Sequence, residues 1–350
     1  MFKRKQRSAN TVVGLDLDPG HIAAAEVHVN GGVTVRRGAV APLRPGVLRE
    51  GEIADPAALS EALRGLFEEH DLPRRVRLGI ANQRIVVRSL DLPVIEDAKG
   101  LAAAVRQTAP DHIPMPMDEA VVDFQSLGVV ATPGGPRSRV VIVAVRRDVI
   151  DRLVSATGEA GLELDGIDLA AFGMVRALAP VAPEHAILYV NVAGLTNVAV
   201  ADASGCLFTR AASGGLDAAV HSLAERRGLT SEHARQWMQH VGLLTALEEV
   251  EGDPELVAAT RTALEEGVHQ LADTVRNSLN FYRTQEGAEN VERALLTGPA
   301  VAIPGFAERV ADQLKLPVQA AVVGAEAGEE SELDLGRLTV AAGLAVEDRD

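Results

Sequence analysis

Residues 12–27, VVGLDLDPGHIAAAEV, constrain this chain more than any other segment. A β-branched apolar run meets an acidic turn and a second apolar run resumes. That pattern predicts a hairpin whose turn presents Asp16 and Asp18 beside Gly20 and His21. Such a turn can wrap a phosphate with backbone N–H groups while a carboxylate, here Asp16, holds Mg²⁺ through water. Two further glycine-bearing turns lie far along the chain, NVAGLT at 191–196 and LLTGPAVAIPG at 295–305. The second offers Asn191, Gly194 and Thr196 as ligand-lining residues, and the third offers Gly298 and Pro299. One such turn is only a turn; three at these intervals predict a two-lobed nucleotide clamp.

Composition narrows the function classes. The 350 residues exceed one unit of about 100–200 residues, and with 47% hydrophobic but only 3% aromatic residues the cores are aliphatic. A net charge of −15 argues against a nucleic-acid surface, which would carry a basic stripe. The one basic cluster, MFKRKQR at the start, reads as a solvated, disordered segment rather than a membrane contact. Cys206 is the sole cysteine, so no intramolecular disulfide forms and a cytosolic home is favoured. No signal-peptide pattern and no stretch of about 18 apolar residues is present, and a soluble cytoplasmic protein is expected. The nine histidines show no metal-ligand spacing, and no Ser-His-Asp or Cys-His set stands out.

Strand-like runs at 11–17, 22–29, 33–40 and 76–80 surround a helix at 55–70 that places Leu59, Leu63, Leu66 and Phe67 on one face. Residues 85–160 read as a compact β-α-β-β-α insertion, with strands at 121–130 and 139–147 joined by TPGGPRS. The segment Ile113-Pro114-Met115-Pro116 either shapes a groove edge or closes a helix. After residue 184 the order strand, Asn-bearing turn, strand, strand, helix repeats that of 12–70, as two related lobes would. Residues 230–283 are mostly helical, the acidic tract EAGEESELD at 326–334 reads as a solvated loop, and the closing helix RLTVAAGLAVED has a small-residue face.

Several of these motifs, in this order, resemble the actin-like ATPase superfamily, and within it the type IV pilus assembly PilM family, a relative of FtsA. The carriers are VVGLDLDPGHIAAAEV, HIPMPMDEAVVDFQSLG, VVIVAVRRDVIDRLVSATGEAGLELDGIDLAAFGMVRAL, RAASGGLDAAVHSLAERRGLT, SLNFYRTQ, LLTGPAVAIPGF and TVAAGLAVED. The resemblance implies an α/β, actin-like (ribonuclease H-like) two-lobed fold with an FtsA-type inserted α/β subdomain. It divides the chain into a basic N-terminus 1–10; a first lobe 11–84 and 161–180 with the closing helix 336–347; an inserted subdomain 85–160; a second lobe 181–229 and 292–325; and a helical subdomain 230–291. It adds Gly214 and Gly215 to the nucleotide-lining set. The implied cofactors are ATP and Mg²⁺, with Asp16 as the water-mediated Mg²⁺ holder. The implied partner is the N-terminal peptide of a PilN-like inner-membrane protein, bound between first lobe and insertion. This would place the chain at the inner face of the cytoplasmic membrane, on the pilus platform, with self-association as a further option.

Four sites depart from the family pattern. Asp18 stands at a glycine position and Ala23 at a lysine position of the first turn. Asn191 replaces the acid of the second turn, whose glycine has moved to Gly194, and an amide cannot take a proton at neutral pH. Met238 stands where a lysine is usual, and Gly298-Pro299 replaces paired glycines. The expectation is a degenerate ATPase with weak or absent hydrolysis, a scaffold in which ATP, where bound, is a conformational ligand. The rivals are an active actin-fold ATPase and an FtsA-like filament-forming division protein.

Overall fold

The computed structural model describes residues 11–180, 183–326 and 333–346. The basic start, most of the acidic tract and the last four residues lie outside the described residues.

The opening hairpin forms as its pattern dictates. Strands β1 (Val13–Asp18) and β2 (His21–Val29) pair antiparallel down to Asp18 opposite His21, leaving Pro19-Gly20 as a two-residue turn. Strand β3 (Val33–Pro42) continues the meander, and a short hairpin, β4 (Leu48–Arg49) with β5 (Glu52–Ile53), follows. The Asp55 carboxylate caps helix α1 (Pro56–Glu69) by accepting the Ala58 N–H, and Leu59, Leu63, Leu66 and Phe67 form its buried stripe. Strand β6 (Arg75–Ile80) then runs parallel to β1.

Strand β7 (Val86–Pro93), helix α2 (Ala98–Thr108), strands β8 (Ala120–Thr132) and β9 (Gly135–Arg146) and helix α3 (Arg147–Glu159) come next. Three of them make a separate sheet in the order β7-β9-β8, so β8 is an edge. The β8–β9 turn is tighter than TPGGPRS suggests, because Thr132 already pairs with Gly135. Strand β10 (Glu163–Leu169) returns parallel to β6, and helix α4 (Ala170–Leu178) follows.

The second half contains β11 (Ala186–Val192), β12 (Thr196–Asp202), β13 (Gly205–Ala212), α5 (Leu216–Arg227), α6 (Ser231–Val241) and α7 (Pro254–Arg283). It continues through β14 (Val291–Thr297), α8 (Phe306–Leu314), β15 (Val318–Ala320), β16 (Gly324–Ala325) and α9 (Leu335–Leu344). One large sheet has the order β10-β6-β1-β2-β3-β16 and the other β13-β12-β11-β14-β15.

Short β15 and β16 have no hydrophobic alternation to announce them. Residues 324–325, just before the acidic tract, pair with Thr34 and Val35 at the sheet edge. The closing helix also ends at Leu344, short of the span its composition suggests.

Helices α4 and α9 tie the two sheets together. Met174, Val340 and Leu344 share one core cluster with Ile187, Tyr189, Ala199 and Leu295 of the second sheet. The approach is close: a Cβ on Gly14 of β1 would lie 1.8 Å from the Ala341 carbonyl oxygen. A Cβ on Gly343 would lie 1.7 Å from the Gly173 carbonyl oxygen.

Candidate functional site

The three turns of the sequence pattern converge between the two large sheets. The loop Ala193–Gly194–Leu195 closes the β11–β12 hairpin and faces the β1–β2 turn. The Asp18 carboxylate crosses the cleft and accepts two backbone N–H groups there, from Gly194 at 2.8 Å and Leu195 at 3.1 Å. The third turn presses on the second, since a Cβ on Gly298 (φ +94°) would lie 2.5 Å from Asn191 Oδ1.

Charges from elsewhere complete the cluster. Arg337 on α9, only 8% exposed, lies 3.9 Å from Asp18, 3.9 Å from Asp217 and 3.4 Å from Asp334. Arg235 on α6 holds the other side of Asp217 at 3.2 Å. Burial first, then Asp18, pushes the Asp16 carboxyl up to about 8 against the pull of Arg337. Asp18 is raised to about 7 by burial and then Asp217, opposed by its two N–H donors and Arg337. His21 is lowered to about 4 by burial and by the two arginines, so it is neutral, and its buried Nδ1 has no hydrogen-bond partner.

Asp16, Asp18, His21 and Asn191 thus surround one point, with Ala23, Ala193 and Arg337, but the cavity left among them is about 10 Å³. That is about the lower limit for one water. Gly194 donates into the cluster; Thr196 sits behind it, buried, with its hydroxyl unpartnered. Gly20 packs on Asp217, and Gly215 packs on the Ala193 carbonyl at the start of α5. Gly214, with φ +88°, has open space where a side chain would stand. Pro299 lines a larger cavity of about 500 Å³ with Leu216, Val220, Met238 and Ile303, and this cavity adjoins the cluster, since His21 and Arg337 line both.

These residues do not fit Mg²⁺ with a triphosphate. The N–H groups that would cradle a phosphate already serve Asp18, and the space among Asp16, Asp18 and Asn191 is too small for a hydrated Mg²⁺, which keeps several waters; the open volume lies beyond His21 and Arg337. Asp18, His21 and Asp217 stand within ligating distance of one another, but Arg337 and Arg235 neutralise the two carboxylates. Asp16 is not in that group. Arg337, Asp217 and Arg235 escaped the sequence reading. The visible signal for Arg337 was a lone cation inside the small, apolar run of the closing helix.

A second concavity lies between β8 and β10, each an edge strand of its sheet. It measures about 480 Å³ and its walls are mainly Val121, Phe124, Val143, Ile167 and Phe172. Its polar rim includes Asp123 and the ion pair of Arg176 with Asp168.

A family model described as type IV pilus assembly protein PilM matches residues 14–348. Among solved structures, a PilM–PilN type IV pilus biogenesis complex is similar with TM-score 0.76 and 24% identity, over 97% of this chain and 98% of that one. The ethanolamine utilization protein EutJ from Carboxydothermus hydrogenoformans gives TM-score 0.56 and 14% identity, over 97% and 90%. MreB5 of Spiroplasma citri, bound to ADP, gives 0.54 and 13%, over 96% and 95%.

Proposed function

The chain belongs to the PilM family of type IV pilus assembly proteins and has an actin-like two-lobed fold, and from that premise we propose that it is a pilus scaffold whose working surface is the β8–β10 groove. Its occupant is an extended apolar segment, the N-terminal cytoplasmic peptide of a PilN-like inner-membrane protein. The carrying observation is the groove itself, an apolar trough between two open strand edges. An edge strand offers unpaired N–H and C=O groups along one side, and alternate side chains of an added strand would drop into the apolar walls. The match to a PilM–PilN complex supports the same partner. Through that partner the chain would be held at the inner face of the membrane, and no helix among the described residues is long and apolar enough to cross one.

ATP turnover has no part in this role. Asn191 stands where a proton-accepting acid would be needed, and its side chain is packed against Gly298.

The test is a fluorescence-anisotropy titration with a labelled peptide of the PilN-like N-terminus. Val121→Asp and Ile167→Asp, one on each wall, are expected to weaken binding at least about tenfold, or about 1.4 kcal/mol. Val129→Asp, on β8 but outside the groove and 60% exposed, should bind as wild type. Unchanged affinity in both wall variants rules the groove out.

A further inference from the structure

We propose that Asp18 is a built-in substitute for a phosphate group, occupying the N–H cradle of the cleft from within and excluding the phosphates of a nucleoside triphosphate from it. Both carboxylate oxygens are engaged by consecutive backbone N–H groups of the opposite lobe, Oδ2 by Gly194 and Oδ1 by Leu195. Consecutive N–H groups in a glycine-bearing turn form an anion cradle. A Cβ on Gly194 would lie 2.6 Å from Asp18 Oδ1, so the loop's bare backbone is what admits the carboxylate.

The counter-charge is also internal. Arg337 reaches Asp18 and Asp217 from α9, taking the place of a cation brought by a ligand. Its anchoring is local, because Asp334 both caps α9 at the Arg337 N–H and pairs with the guanidinium. Aligned in this way, β1, the 193–195 loop, α5 and α9 are joined by one charge-neutralised cluster. The second carboxylate of the first turn, which looks like a defect in a phosphate site, is the ligand of that site.

Substitution at Asp18 decides this. Thermal melts are recorded in Mg²⁺ with about 1 mM ATP or about 1 mM pyrophosphate. Wild type is expected to melt at the same temperature with and without either ligand. Asp18→Gly should melt lower alone and regain about 5 °C with pyrophosphate or ATP, since the freed N–H groups of Gly194 and Leu195 accept an external anion. Asp18→Asn keeps the size but sets an NH₂, which cannot accept, against one of the two N–H donors, and should melt lower than wild type. A wild-type shift with ATP overturns the proposal, as does an Asp18→Gly protein that no polyanion stabilises. Should Asp18→Gly fail to fold, an Asp18→Asn protein melting as wild type overturns it, and one melting lower beside an ATP-insensitive wild type supports it.

Discussion

Asp16 shows how one residue can be legible in place while the charges that meet it are not. Its place at the end of a buried strand beside a Gly turn was visible in VVGLDLDPG, and the structure puts it in the cleft. Its charge is answered by what the turn could not reveal, a guanidinium from far along the chain, Arg337. Turn chemistry is local and readable; the charge that answers it is tertiary. The Asp16 carboxyl, raised to about 8 by burial and by Asp18, makes a pH prediction. An acid raised above its unfolded value of about 3.9 stabilises the fold fully below that value and loses the contribution as pH climbs to the folded one. Asp18, raised to about 7, acts in the same direction over the lower part of that window. Urea-denaturation stability of wild type is therefore expected to fall between about pH 4 and pH 8, and Asp16→Asn should flatten the decline. An equally steep profile in the variant would remove Asp16 as its source.

At the scale of elements, long periodic segments were readable and short edge pairings were not. Helix α1 announces its buried stripe at Leu59, Leu63, Leu66 and Phe67, and β1–β2 announces its turn. Strands β15 and β16 hold by backbone pairing to neighbours and carry no pattern of their own. The small-residue face of α9 was legible, and its reason is now specific: Gly14 and Gly173 let the helix axis come close to β1 and α4. Gly14→Ala would drive a methyl against the Ala341 carbonyl oxygen at 1.8 Å and the Ala345 nitrogen at 2.6 Å, both backbone atoms that cannot rotate away. Overpacking typically costs about 1–3 kcal/mol, and this contact should sit at the top of that range or above it. A urea melt within about 0.5 kcal/mol of wild type would show that α9 can shift freely. Strand β8 has its own division. A bulge between Ser126 and Gly128 interrupts its ladder, so the regular stretch is the one that lines the groove.

For the whole molecule, the cleft and the groove belong to one sheet. Asp18 ends β1, β6 is its parallel neighbour, and β10 beyond β6 forms the groove wall. A change in lobe angle at the cleft would therefore be felt at the groove through two strands and α4, which packs against α9. A ligand shifts such an equilibrium only by its differential affinity for the two states, and with the N–H cradle taken by Asp18 the phosphates of ATP have no such contact to make. Peptide affinity in wild type should thus stay within about twofold when Mg·ATP is added at about 1 mM, read by the same anisotropy titration. A tenfold change in either direction would mean that nucleotide reaches the cleft and displaces the Asp18 carboxylate, restoring ATP as the signal that sets the groove. Constancy would place the control of docking in the peptide and its membrane-held parent, with the two lobes serving as a fixed frame for the sheet edges that receive it.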